Sequence, residues 1–454
     1  MSATIPVTRA SLDPTGEPAA AVPPRPSDAR RIRRRSVAAW VVYDLANTCF
    51  SMGVVTLYFP DFVKTVLGRD DATVGAIDSI AALLVFALAP ILGAISDQAA
   101  RRLPFLAVAT LSCVAATFFL AQTSSVLTLA LFVAAMVSYQ AGLIFYDSLL
   151  PEVSTDANRG RIGGIGVGVG YAGSLLAYVI GILVIGGRTN PTGDDFALVF
   201  RAIAIAFLVL SVPAFLFVRE RRRVVPPLTP RVASQAFGQL ARTARDARRY
   251  PGLGRFLVGR MFYADAANTL IFMVILYATG ALGLTRAEAQ PVAIVSILCA
   301  IPAGLTWGLV VDRVGPKRTL DVVLCIWMAI FAVVAAIPIL HLPANLIYPA
   351  GAAVGIALAG LWASDRPLMA RLAPPRYYGQ FFGLYAMVGR FGAVVGPAVW
   401  GVVAGATLLN WGQPAAVLFL LLWVVIAFLI LRGVDDTPRS WGPEDLPTLE
   451  AEPA

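Results

Sequence analysis

Asp44, Asn47, Thr48 and Ser51 fall at i, i+3, i+4 and i+7 and share one helical face inside a long apolar stretch. Asp265, Asn268 and Thr269 repeat the start of that face. An ionisable group in hydrocarbon costs several kcal/mol, so it must face a cavity or a partner. Two roles are open to these carboxylates. They can carry a coupling proton or bind a substrate amine; equally, they can cap helices or lock a gate through salt bridges. Arg390 lies about twelve residues into another apolar stretch, near mid-depth at about 1.5 Å per residue. Its permanent charge suits a substrate carboxylate, or an aspartate on a neighbouring helix. Gln140 and Tyr385 are further candidates for lining a cavity.

A second set suits gating. Asp97, Arg101 and Arg102 end one apolar stretch, and Asp312 and Lys317 end another. A carboxylate at a helix C-terminus is unfavourable unless a donor meets it. Asp147, Asp365 and Arg366 sit near the same ends of their stretches and suit a charge network there. No phosphate-binding loop, metal-ligand spacing or nucleophile-base-acid arrangement is visible, and no cofactor is expected. Gly168 to Gly173 satisfies the dinucleotide fingerprint on paper but follows no strand. Gly166, Gly170 and Ser174 read better as a small-residue face for close helix packing.

These residues are embedded in a chain of 454 residues that is 58% hydrophobic and 14% charged. Soluble domains carry roughly 25% charged residues. Mean hydropathy is +0.75, which weighs against a soluble enzyme or a disordered chain. A bilayer core about 30 Å thick takes roughly 20 apolar residues per helix. Twelve such stretches are expected: 37–59, 73–96, 103–121, 126–150, 162–185, 196–218, 254–280, 289–311, 320–340, 344–369, 378–403 and 414–431. The fold class is therefore an all-α integral membrane protein.

Of the 36 Lys and Arg, four (Lys64, Arg69, Arg188 and Arg286) fall on one side, and four (Arg201, Arg260, Arg366 and Arg390) fall in or beside spans. The rest share a side with both termini, which places both termini in the cytoplasm. The net charge of +9 follows from this asymmetry and suits anionic lipid headgroups, not nucleic acid. Residues 1–35 read as a disordered basic tail, 36–218 as an N-terminal six-helix bundle, and 219–253 as a cytoplasmic linker. Within that linker, 233–250 reads as a basic amphipathic helix. Residues 254–432 form the second six-helix bundle and 433–454 a cytoplasmic tail.

The halves echo one another. Asp44 and Asp265 are 221 residues apart, Asp97 and Asp312 are 215 apart, and Asp147 and Asp365 are 218 apart, each pair within similar neighbours. Six spans per half return the chain to its starting side, so the halves relate by an axis along the membrane normal, with substrate between them. At this point the chain resembles the major facilitator superfamily, through Gly93, Asp97 and Arg101 after the second span. The second copy keeps Gly308 and Asp312 but has Pro316 where the arginine would align, with Lys317 next.

A narrower resemblance is to the bacterial Atg22-like (UMF1) branch. It rests on Ala39 to Asn47, Phe145 to Glu152, Arg159 to Gly166 with Gly170-Tyr171, and Arg371 to Pro375 with Phe381 to Tyr385. Leu45 and the Ser364-Asp365-Arg366-Pro367 run depart from the usual pattern of that branch. The resemblance implies a monomeric secondary transporter of the bacterial cytoplasmic membrane. It would move a small polar or zwitterionic solute, an amino acid among the candidates, by alternating access with proton coupling. Efflux of drugs or lipophiles, and a non-transporting receptor or scaffold, are the competing functions.

Overall fold

A computed structural model describes residues 33–69, 71–121, 124–186, 188, 191–225, 250–404 and 411–448, without the side chains of 71, 72, 286, 391–394, 397 and 398. The expected tail over 1–32 and the amphipathic helix expected over 233–249 lie outside them. The described chain is helical: α1 Arg34–Thr65, α2 Asp71–Gln98, α3 Leu103–Phe118, α4 Ser125–Ser148, α5 Arg159–Ile185 and α6 Gly193–Phe217. Then follow α7 Leu253–Gly280, α8 Arg286–Val314, α9 Pro316–Ile339, α10 Ile347–Leu372, α11 Tyr378–Ala404 and α12 Gln413–Leu431. Ten of these are long and apolar enough to cross a bilayer; α3, with 16 residues, is a shorter apolar helix, and α11 is not among the ten. The protein is thus a multi-spanning all-α membrane protein.

Local chemistry sets several ends. Thr192 and Asp195 form a capping box that starts α6, and Thr285 and Glu288 form one that starts α8. The break between α8 and α9 needs Gly315, whose φ of +97° suits a residue without Cβ. The sequence gives no sign of one feature: α1 is π-helical over Ser51–Tyr58 between two α-helical stretches, a geometry often found at functional sites.

Buried apolar side chains gather into two large clusters, one drawn from residues 39–218 and the other from 253–434. Large apolar side chains such as Leu83, Val108, Leu183, Leu216 and Phe272 are exposed on the outside. An apolar exterior of this kind suits lipid, not water. The clusters meet where α5 packs on α8 and α2 on α11. Glycines permit that approach. A Cβ on Gly164 would lie 2.5 Å from the Gly304 carbonyl oxygen and 2.5 Å from the Gly308 Cα. A Cβ on Gly93 would lie 2.8 Å from the Gly379 carbonyl oxygen.

The segment after α12 runs back along the end of the molecule that carries most of the arginines. Asp436 accepts from the Lys317 N–H at the start of α9, and Arg371 approaches the same carboxylate at 3.5 Å. Tyr250 donates to Asp445 at 2.8 Å, and the Val224 N–H reaches the Thr448 carbonyl at 2.9 Å. The segment therefore spans from the second cluster to the chain that leaves α6.

Candidate functional site

A chain of buried charges lies between the two clusters. Arg366 on α10 reaches Asp44 on α1 at 3.4 Å and Asp147 on α4 at 3.2 Å. Its neighbour Asp365 turns the other way. It is fully buried, accepts from Arg260 on α7 at 3.1 Å and Tyr263 at 2.7 Å, and from Tyr385 on α11 at 2.8 Å. Arg260 also donates to the Tyr385 carbonyl, and its guanidinium lies 3.4 Å from the centre of the Tyr385 ring. Adjacent residues of one helix thus hold both halves, Asp365 through α7 and α11, Arg366 through α1 and α4. Three aspartates and two arginines leave this set one negative charge in excess when all are ionised.

Small residues make room for it. A Cβ on Gly166 would lie 3.3 Å from an Asp44 carboxylate oxygen, and one on Gly170 would lie 3.2 Å from the Thr48 hydroxyl. Trp40 stacks on Tyr146 at 4.6 Å, and its indole N–H points at the Tyr146 carbonyl, which fixes α1 against α4 beside the aspartates.

Asp265 stands apart. One oxygen accepts from the Gly396 N–H at 3.1 Å and from the Thr269 hydroxyl at 3.4 Å; the other is buried without a partner, and no base pairs with it among the described residues. Its repeat counterpart Asp44 has Arg366, so the two faces that look alike in sequence are not alike in charge. Asn268 is half-buried and makes no hydrogen bond among the described residues. The amide nitrogens of Asn47 and Gln140 are buried and have no partner among the described residues.

The remaining candidates lie at the arginine-rich end. Asp97, at the end of α2, accepts from the Gly379 and Gln380 N–H groups at 2.6 and 2.8 Å. Asp312, at the end of α8, accepts from the Arg161 N–H at 3.0 Å, with the Gly160 N–H also bonded to it. Each carboxylate therefore caps the N-terminus of a helix across the interface, where free N–H groups and the helix dipole favour negative charge. A Cβ on Gly379 would fall 2.7 Å from Asp97, and one on Gly160 would fall 2.6 Å from Asp312.

The basic gating candidates are placed as follows. Arg102, not Arg101, meets Asp97, at 3.3 Å, and it also donates to the Ser148 carbonyl; Arg101 points into solvent. Helix α2 ends at Gln98, and the short irregular connection to Leu103 turns the second arginine inward and leaves the first exposed. Lys317 binds Asp321 one turn along its own helix, not Asp312, because α9 begins at Pro316 and carries the lysine away from α8.

Glu220 and Arg223, which follow α6, complete this end. Glu220 caps α3 by accepting from the Arg102 and Leu103 N–H groups at 2.6 and 3.0 Å. Burial pushes its carboxyl above the usual range, against the pull of Arg102, of those two N–H groups and of Arg223. Arg223 is also buried, 4.0 Å from Asp97, and burial lowers its guanidinium to about 10.

With the geometry in view, the comparisons are informative. A family described as "Vacuole effluxer Atg22 like" matches residues 69–439. The chain belongs to that Atg22-like family. A Bacillus subtilis relative, described as an uncharacterized MFS-type transporter, YxiO, is 28% identical over 429 residues, 90% of this chain and 97% of its own length. Autophagy-related protein 22-1 of Penicillium rubens is 26% identical over 304 residues, 62% of this chain and half of that protein. Among solved structures, the human organic anion transporter MFSD10 superposes with a TM-score of 0.72 at 15% identity, over 88% of this chain and 99% of the other. The fold of this Atg22-like protein is that of the major facilitator superfamily.

Sequence reasoning missed Arg260. It was visible as an arginine inside an apolar stretch, but only the helix packing assigns it to Asp365. Tyr385, a candidate for lining a cavity, donates to that same carboxylate.

Proposed function

We propose that this protein is a proton-coupled secondary transporter that moves a small polar or zwitterionic solute by alternating access. Its twelve helices would span the bacterial cytoplasmic membrane as two pseudo-symmetric six-helix bundles, 36–218 and 254–432, with both termini, the 219–253 linker and the 433–454 tail inside. The arginine-rich end is then the cytoplasmic gate. The observation that carries this reading is the Asp44–Arg366–Asp147 bridge, because it links the halves and holds one carboxylate more than its arginine balances. A proton taken up by either aspartate neutralises the excess and loosens the hold on Arg366. The inner halves can then part where α2 meets α11 and α5 meets α8. The lone carboxylate of Asp265 is a second place for a proton or a substrate amine.

The test is uptake into proteoliposomes with and without an imposed pH gradient, with proton movement followed in parallel. Gradient-driven accumulation with proton flux supports the reading. Asp147→Asn is expected to keep exchange and lose accumulation. Flux that neither responds to the gradient nor moves protons rejects coupling; no flux of any tested solute in active-orientation vesicles rejects transport.

A further inference from the structure

Beyond the ion network lies a set of polar groups that the network does not use. Asn47 is three residues past Asp44 along α1, about 4.5 Å farther from the arginine-rich end. Gln140 is seven residues from Asp147 on α4, about two turns and 10 Å farther in the same direction. Arg390 is five residues beyond Tyr385 on α11, about 7.5 Å on. Three helices thus each carry a donor into the zone about 4.5–10 Å past the bridge that closes the molecule.

Those donors are unspent. Asn47 is 2% and Gln140 4% exposed, yet neither amide nitrogen has a partner among the described residues. A buried unpaired donor costs about 1–3 kcal/mol, which a ligand can recover. Arg390 is half-buried and makes no hydrogen bond or ion pair among the described residues. Contacts beside these residues tie their helices together. The ring of Tyr139, next to Gln140, lies 5.0 Å from that of Phe50, one turn along α1 from Asn47, and α4 also packs on α11, which carries Arg390. The nearest-acting acid on Arg390 is Asp78 of α2, with which it forms no ion pair. A guanidinium and two amide donors brought in by three helices match a carboxylate, which accepts through both oxygens and carries the charge opposite to the arginine's.

We infer that Asn47, Gln140 and Arg390 form the subsite that holds a carboxylate group of the transported solute. This deepens the transport reading and rests on it. Amide nitrogen and oxygen can exchange places by a flip, but the guanidinium cannot, so the charge of the ligand is set by Arg390.

The experiment measures the thermal shift of the purified full chain with matched pairs: L-leucine and L-leucinamide, isovalerate and isovaleramide, succinate and succinamide. At least one acid is expected to stabilise the protein where its amide does not. Arg390→Gln should remove the effect. Arg390→Lys should keep the preference for the acid while weakening affinity at least tenfold, as should Asn47→Leu or Gln140→Leu. Arg390→Lys also guards against the case in which Arg390→Gln fails to fold. Stabilisation by amides alone, acid binding that survives Arg390→Gln, or no stabilisation by any acid overturns the subsite. If Asp78→Asn restores acid binding to Arg390→Gln, the arginine merely balances Asp78, and the inference is wrong. Uptake of the best-binding acid separates the two readings: binding without flux removes transport and leaves the subsite standing, whereas flux indifferent to Arg390 does the reverse.

Discussion

Replacing Asp97 with alanine should open the arginine-rich end. Asp97 makes two charge-assisted bonds to main-chain N–H groups of α11, at 2.6 and 2.8 Å, and a longer one to Arg102 at 3.3 Å. Hydrogen bonds to a charged group contribute about 1.5–3 kcal/mol each. The two short bonds exist only while α2 and α11 stay together, so their loss favours the parted state by about 3 kcal/mol at the low end. At about 1.4 kcal/mol per factor of ten, the ratio of the two states moves by on the order of a hundredfold. A minor open population of about 1% then becomes comparable with the closed one. Spin labels at the exposed positions Ala157 and Arg313 would report this by pulsed dipolar spectroscopy. Neither position touches Asp97, so a longer distance there records movement of whole halves. Arg101→Ala serves as the control, since that side chain is exposed and should leave the distances alone. An Asp97→Ala protein that is folded, monodisperse and shows the wild-type distance distribution would refute the argument.

Two further outcomes follow from separate features. Gly164→Ala puts a methyl group 2.5 Å from the Gly304 carbonyl oxygen; such overpacking costs about 1–3 kcal/mol, so labels at the same end should show partial opening, whereas Gly75→Ala, with nothing within 4 Å of its added carbon, should not. Glu220 binds its proton more tightly folded than unfolded, so its stabilising contribution is full below the ordinary carboxylate range and fades as pH rises through the elevated value. Glu220→Gln should flatten that part of a Tm-against-pH curve in detergent, and an unchanged slope would count against the assignment.

Much of this was legible from residue order. The long apolar stretches coincide with the helices to within a few residues at most ends, because lipid leaves the backbone few alternatives to internal hydrogen bonding. The repeated aspartates stood out because a carboxylate in an apolar stretch is costly unless it meets a donor, and Asp44, Asp97, Asp147 and Asp312 meet donors from the other half. The identity of the partner was not legible. Arg101 and Arg102 are adjacent and chemically equal, and only the geometry of one turn decides which is buried. Arg260 and Asp365 are 105 residues apart on different helices, and nothing local links them. Asp44 and Asp265 share a sequence pattern, but their charge environments depend on Arg366, for which the first half has no counterpart on α4. The π-helical stretch of α1 depends on packing around Ser51–Tyr58 and has no compositional sign.

The way Asp97 and Asp312 close the molecule bears on what the cell can change. Each grips peptide hydrogens, at a position where glycine alone leaves space, instead of a lysine or arginine at the rim. Dissolved ions weaken pairs that face water far more than bonds held within protein. The closed posture of the protein should therefore stay nearly constant across shifts in salt or in headgroup charge; on the transport reading, protonation and cargo are left as the signals it answers.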